Sequence, residues 1–238
     1  MSGCACDLHG ERDYIAVPRS TIPHVKVYGA GALEKIGYAD ILSLLRAGRV
    51  IAFPTDTAYG LGADPFNPIA IERIFEIKGR AETKPILLLV NSLAMAESVS
   101  RASAMFHTVV QRFWPGPLTV IVRSAACIPP NVTAGTNSVG LRWPVAPLAT
   151  NLVERLGQPI TATSANRSGM PSAVTAEEVR ARLGESVDAL IDGGTLPSRT
   201  GSTLLDLTSD PPVLLREGPV SFATLHAFFK GRIRSQLA

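Results

Sequence analysis

Val50-Ile51-Ala52-Phe53-Pro54-Thr55-Asp56-Thr57-Ala58-Tyr59-Gly60-Leu61-Gly62 is the stretch from which the chain is best read. Its first four residues are apolar and Pro54 stops them, which predicts a short strand buried on both faces. Hydroxyls, a carboxylate and flexible backbone then follow at the end of that strand, where an α/β sheet opens to its ligands. A polar turn would account for the segment as chain reversal, but two threonines, an aspartate and a tyrosine exceed what reversal needs.

Outward from this strand, apolar segments of two periods alternate. Residues 32–47 carry Leu33, Ile36, Ile41, Leu44 and Leu45 at largely helical spacing and end at Gly48. Asn67-Pro68 is a cap followed by a first-turn proline; it opens a helix with Ile71, Ile74, Phe75 and Lys78 three to four residues apart, which brings Lys78 to the helix end. Pro85 to Val90 reads as a buried strand, Ser92 caps a helix toward Ser100, and a further helix covers about 103–113. Leu118 to Val122 and Val139 to Trp143 read as strands flanking a Pro/Thr/Gly/Asn-rich loop, and Pro147 begins a helix through Leu156. Ile160 to Thr163 is a strand, and Thr175 with Glu178 forms a capping box. Short strands follow at 189–191, 203–207 and 213–215, and Ser221 caps a last helix. This interleaving predicts one α/β domain over 26–230, between an extended tail at 1–25 and a basic tail at 231–238. Tight turns between late strands predict a mixed sheet with covering helices.

Composition narrows the function classes. With 238 residues, 46% hydrophobic content and a net charge of +3, the chain lacks the signature of disorder and can bury a sizeable core. A surplus of three positive charges argues for nucleic acid only if the cations cluster. The longest purely apolar run, Ile86 to Val90, has strand length, so no membrane span is expected; the first twenty residues lack an apolar signal region, which makes the cytoplasm the expected location. Cys4, Cys6 and His9 supply three metal ligands without a fourth and read more simply as a frayed terminus; Cys127 reads as a packing residue.

The familiar catalytic signatures are missing. There is no G-x-x-x-x-G-K-[ST], no third glycine after Gly60-Leu61-Gly62, no H-E-x-x-H and no G-x-S-x-G. Instead, polar groups emerge from strand ends. Lys78-Gly79-Arg80 with Lys84 gathers three cations at a helix C-terminus, where the helix dipole alone would favour them. Thr163-Ser164-Ala165-Asn166 presents hydroxyls and an amide. Arg142, inside the apolar Val-Gly-Leu-Arg-Trp-Pro, is either a member of an ion pair or a clamp for an anionic ligand, and Arg216 invites the same two readings. Many cations and hydroxyls without an evident base suit a polyphosphate ligand and a reaction driven by positioning and charge neutralisation.

The stretches P-T-D-T-A-Y-G-L-G-A-D, E-R-I-F-E-I-K-G-R, F-W-P-G-P-L-T, V-G-L-R-W-P, T-S-A-N-R-S-G-M-P-S, and G-S-T-L-L-D-L with L-L-R-E-G occur in this order between about residues 35 and 220. Together they resemble the YrdC family of threonylcarbamoyl-AMP synthases, including its K-x-R and S-x-N pairs. The resemblance implies a twisted α/β sheet around a deep electropositive cavity, and a reaction of L-threonine, bicarbonate and ATP that yields threonylcarbamoyl-adenylate and pyrophosphate. It also implies Mg²⁺ carried with ATP, no organic prosthetic group, and delivery of the product to a downstream tRNA threonylcarbamoyl-transferase complex.

By the same resemblance, Thr57, Arg142, Ser164 and Ser202 contact L-threonine, and Arg80, Lys84, Ser138, Asn166 and Arg216 contact ATP. Lys78 and Arg80 are the catalytic pair, and no residue is implied as a metal ligand. Three positions depart from the family pattern: Leu89 stands where many relatives have histidine, Gly201 replaces the glutamate of E-S-T, and Val174 replaces a threonine. Two other readings compete. A non-catalytic RNA-binding module would use a basic cavity, and the basic stretch 230–234 could touch RNA, although a solvated tail is the simpler reading. A carbamoyl-transfer domain of the hydrogenase-maturation type shares the fold but carries further modules.

Overall fold

A computed structural model describes residues 25–29, 31, 33, 38–79, 85–197 and 199–237. Cys4, Cys6 and His9, and the site residues Arg80 and Lys84, lie outside the described residues.

The strands form two mixed sheets rather than one. The first, of five strands, has the order β1 (Lys26–Gly29), β9 (Ala189–Asp192), β2 (Ile51–Phe53), β3 (Gly60–Gly62) and β8 (Thr163–Ser164). The second, of seven, runs β12 (Arg234–Ser235), β11 (Val213–Arg216), β10 (Thr203–Asp206), β5 (Leu118–Arg123), β6 (Ser138–Arg142), β4 (Leu87–Leu89) and β7 (Ile160–Thr161). The single strand expected over 160–163 is divided: Thr161 pairs with Leu88 in one sheet, while Thr163 pairs with Leu61 in the other. The chain crosses from sheet to sheet at Ala162, whose N–H donates to the Leu87 carbonyl at 2.9 Å.

Strand β2 shows why both faces of the five-stranded sheet are covered. Successive side chains of a strand point to opposite faces. Val50 and Ala52 join the larger apolar core, which also holds Ile71, Ile74, Val120 and Leu141, while Ile51 and Phe53 join a second core with Ile41, Leu45, Leu152 and Ile160. Each such large side chain, fully buried, contributes about 1.5–3 kcal/mol. Gly60-Leu61-Gly62 was not legible as a strand, because glycine lends no strand propensity. Its pairing, Ile51 with Gly62 and Phe53 with Gly60, makes Pro54–Tyr59 the tip of a hairpin. A Cβ on Gly62 would come within 2.8 Å of both Phe53 and Ile160, so the close packing of the hairpin itself demands glycine.

The helices follow their sequence signals closely. Asn67 accepts hydrogen bonds from Ile69 N and Ala70 N and starts the helix Pro68–Lys78, which ends at Gly79 in the left-handed region (φ +59°). The helix expected over 32–47 is described as Ala39–Arg46, and Pro130–Thr133 is a short helix within the expected loop. The basic end is not a free tail from 231: Arg234 and Ser235 pair in parallel with Val213 and Leu214, because backbone pairing at a sheet edge is open even to polar side chains.

Candidate active site

The P-T-D-T loop and the end of β6 meet around one guanidinium. Arg142 is the last residue of β6, and its side chain is 3% exposed. Its Nη2 binds the Asp56 carboxylate, its Nη1 donates to Thr57 Oγ1 at 2.9 Å, and its Nε donates to the Gly116 carbonyl at 3.2 Å. Of the two readings left open, the ion pair is therefore present, and Asp56 is the partner that sequence reasoning left out of the site. The signal was there, since a charge inside an apolar strand requires a counter-charge. Burial pulls the Arg142 guanidinium below its ordinary pKa, and Asp56 opposes that pull.

The loop holding Asp56 and Thr57 is fixed from within. Thr55 Oγ1 donates to the Ala58 carbonyl at 2.7 Å and lies 3.2 Å from Thr57 Oγ1. Tyr59 is fully buried and donates its hydroxyl proton to the Gly194 carbonyl at 2.8 Å. Burial raises its pKa to about 12.

A second arginine stands at a strand end in the same seven-stranded sheet. Arg216, at the end of β11, donates from Nε and Nη2 to the Ser202 carbonyl at 3.0 and 2.8 Å. Ser202 Oγ lies 2.6 Å from Thr119 Oγ1, and both hydroxyls are buried. Arg216 keeps contact with solvent, yet it is crowded enough by protein for desolvation to lower its pKa, with the positive charge of Arg142 adding to that effect. The two guanidiniums thus feel each other. Gly201 makes room for this arrangement: a Cβ there would lie 2.9 Å from Arg216 Nη2.

Lys78 serves the opposite flank of the same loop. It is buried, and its ammonium donates to the Ser164 carbonyl at 2.7 Å, the Asn166 carbonyl at 3.1 Å and Asn166 Oδ1 at 3.3 Å. Ser164 Oγ donates to Asn166 Oδ1 at 2.5 Å, and Asn166 Nδ2 donates to the Met170 carbonyl. The S-x-N segment is tied to the P-T-D-T hairpin by the pairing of Ser164 with Gly60 and by the bond from Ala165 N to the Tyr59 carbonyl at 2.8 Å. Lys78, Ser164 and Asn166 form one hydrogen-bonded unit, Asp56, Thr57, Gly116 and Arg142 a second, and Thr119, Ser202 and Arg216 a third. Ser138 joins none of them. It stands at the start of β6, four residues from Arg142 and hence about 13 Å along the strand, with its Oγ 2.8 Å from Thr136 Oγ1.

Of the departures, Leu89 is fully buried against the smaller core, and Val174 is buried, its carbonyl accepting from Leu196 N at 2.8 Å. Glu178 completes only half of the expected capping box. Thr175 accepts from Glu178 N, but the Glu178 carboxylate accepts from Val174 N and binds Arg199, which lowers its pKa to about 2.

The family model Sua5_yciO_yrdC, described as "Telomere recombination", matches residues 43–218, which takes in every site residue above. The chain belongs to the Sua5/YciO/YrdC family. It is 39% identical over 175 residues to the threonylcarbamoyl-AMP synthase of Pyrococcus abyssi, covering 73% of this chain and 52% of that protein. Against the enzyme of the same name from Bacillus subtilis it is 39% identical over 191 residues, covering 79% of this chain and 55% of that one. The chain therefore spans about half the length of these curated relatives. The solved P. abyssi Sua5 complexed with L-threonine superposes with a TM-score of 0.83 at 34% identity, over 89% of this chain and 62% of that one. Family membership accounts for the two mixed sheets as well as for the motifs.

Proposed function

We propose that this chain forms threonylcarbamoyl-AMP and pyrophosphate from L-threonine, bicarbonate or its CO₂, and ATP. The observation that carries the reading is the buried Arg142, held by Asp56, Thr57 and the Gly116 carbonyl at the end of a strand of the seven-stranded sheet. A second guanidinium, Arg216, ends another strand of that sheet, and two arginines at strand ends suit a ligand with several negative charges.

In this reaction the threonine amine adds to CO₂ and releases a proton, giving a carbamate. A carbamate oxygen then attacks the α-phosphorus of ATP, and pyrophosphate leaves. The substrates supply both nucleophile and leaving group, so the protein aligns them and absorbs charge. Thr57, Arg142, Ser164 and Ser202 would hold the amino acid; Asn166, Arg216, Ser138, Arg80 and Lys84 would hold the nucleotide. Lys78 would act through the S-x-N segment that it binds. Among the described residues no three His, Cys, Asp or Glu side chains gather into a metal cage. Mg²⁺ would ride on the triphosphate and neutralise phosphate charge.

The adenylate would pass to a separate complex that modifies tRNA, in the cytoplasm. No helix among the described residues is long and apolar enough to cross a membrane. The test is to incubate the purified chain with ATP, Mg²⁺, bicarbonate and single amino acids and to measure pyrophosphate. Release that needs threonine and bicarbonate together is expected. Silence with every amino acid, while a related synthase works in the same buffer, would favour the RNA-binding module instead.

A further inference from the structure

Arg142 and Asp56 are not equally placed in their ion pair. The arginine side chain is 3% exposed and the aspartate 15%, so of the two the carboxylate is the more open to solvent. Asp56 gives one oxygen, Oδ1, to Arg142. Arg142 has five N–H groups; one is directed to Asp56, one to Thr57 and one to Gly116. Among the described residues that hydrogen-bond with Arg142, which are Asp56, Thr57 and Gly116, Asp56 is the one carboxylate.

We propose that Asp56 is a specificity-determining residue that receives the α-ammonium of the amino-acid substrate on its outer oxygen, with Arg142 behind it and free N–H edges beside it for the α-carboxylate. The inference rests on the amino-acid site assigned under Proposed function and deepens it. A zwitterion carries opposite charges on neighbouring atoms, and this pair offers opposite charges in contact with each other. Beside Arg142, the described group that welcomes an ammonium is Asp56. A simple carboxylic acid would meet the Asp56 charge without compensation. The pair therefore selects amino acids over their des-amino counterparts, which would otherwise satisfy Arg142 equally well.

The probe is calorimetric binding of L-threonine and of its des-amino analogue, 3-hydroxybutanoate, to the wild-type chain and to Asp56→Asn. Asparagine keeps an oxygen for Arg142 but loses the charge. The wild type should bind threonine about 10- to 100-fold more tightly than the analogue, the worth of a charge-assisted hydrogen bond. Asp56→Asn should lose most of that preference by weakening threonine alone, while ATP affinity stays at the wild-type value. Equal wild-type affinity for both acids would overturn the proposal with no variant needed. So would an Asp56→Asn protein that binds threonine normally, or one that loses threonine and analogue alike, since Asp56 would then only orient Arg142. A wild type that binds no amino acid at all would instead overturn the functional reading on which the inference stands.

Discussion

Replacing Lys78 with methionine separates holding a loop from touching a substrate. Methionine fills nearly the same volume and keeps water out, so the change removes the ammonium and little else. Three acceptors then lose a donor: the carbonyls of Ser164 and Asn166, and Asn166 Oδ1. Asn166 Oδ1 still receives the Ser164 hydroxyl proton and the Ser164 carbonyl still receives Asn166 N, which leaves the Asn166 carbonyl to carry the loss. A buried acceptor left unsatisfied costs about 1–3 kcal/mol, which the relief of the lysine's own desolvation does not exceed, so the net loss is about 1–3 kcal/mol. In a chain of this size each kcal/mol moves the midpoint by about 2–4 °C, so Lys78→Met should melt about 2–12 °C lower. Thermal unfolding by circular dichroism reads this, and pyrophosphate release measured well below the new midpoint reads turnover. Both should fall, because Ser164 and Asn166 belong to the proposed substrate sites. A variant that melts with the wild type but has lost turnover would refute the holding role and return Lys78 to direct contact with phosphate.

Gly201→Ala leaves the backbone unstrained but drives a methyl group to within 2.9 Å of Arg216 Nη2. It should raise KM for ATP about tenfold with kcat and melting temperature little changed, as for loss of binding shared by ground and transition states; a wild-type KM would show that Arg216 has no fixed seat to lose. For Tyr59 the folded state favours the neutral phenol, with its pKa raised to about 12. Its contribution to stability is therefore complete below the unfolded value of about 10 and disappears as pH climbs through the folded value. An absorbance titration should show one tyrosine ionising near pH 12 that Tyr59→Phe removes, and ionisation of all tyrosines near pH 10 would contradict the burial and the bond to Gly194.

Helices were legible because their ends carry local chemistry. Asn67, Ser92, Ser103, Thr175 and Ser221 each accept a backbone N–H with the side chain, as their positions before apolar periodic runs predict. The division into two sheets was not legible, because it depends on a crossing at Ala162, a residue with no turn signal of its own. The site was half legible. Polar residues at strand ends could be found, and Arg142 could be flagged, but which group meets which depends on register between strands far apart in sequence. Thus Asp56 is 86 residues from Arg142, and Ser202 is 83 from Thr119. Lys78 shows the limit most clearly. Its place at a helix end was readable, whereas its attachment to Ser164 and Asn166, rather than outward to solvent, depends on where β8 docks.

That docking also explains why the motifs are spread so widely along the chain. The P-T-D-T hairpin belongs to the five-stranded sheet and Arg142 to the seven-stranded one, so each bond from Arg142 to Asp56 and Thr57 joins the two sheets. The S-x-N segment begins just after the chain crosses at Ala162, so it too depends on how the sheets meet. Neither sheet alone presents a complete set of groups. Correct placement of the charged side chains therefore requires both cores to be packed and the seam between them closed, and the residues that close it are the ones proposed to bind ligand. A charged pair placed across such a seam attracts strongly enough to offset its desolvation only when the seam is tight. The same Asp56–Arg142 contact that would read an amino acid is thus one of the contacts that keep the sheets in register, which couples loss of either residue to both affinity and stability.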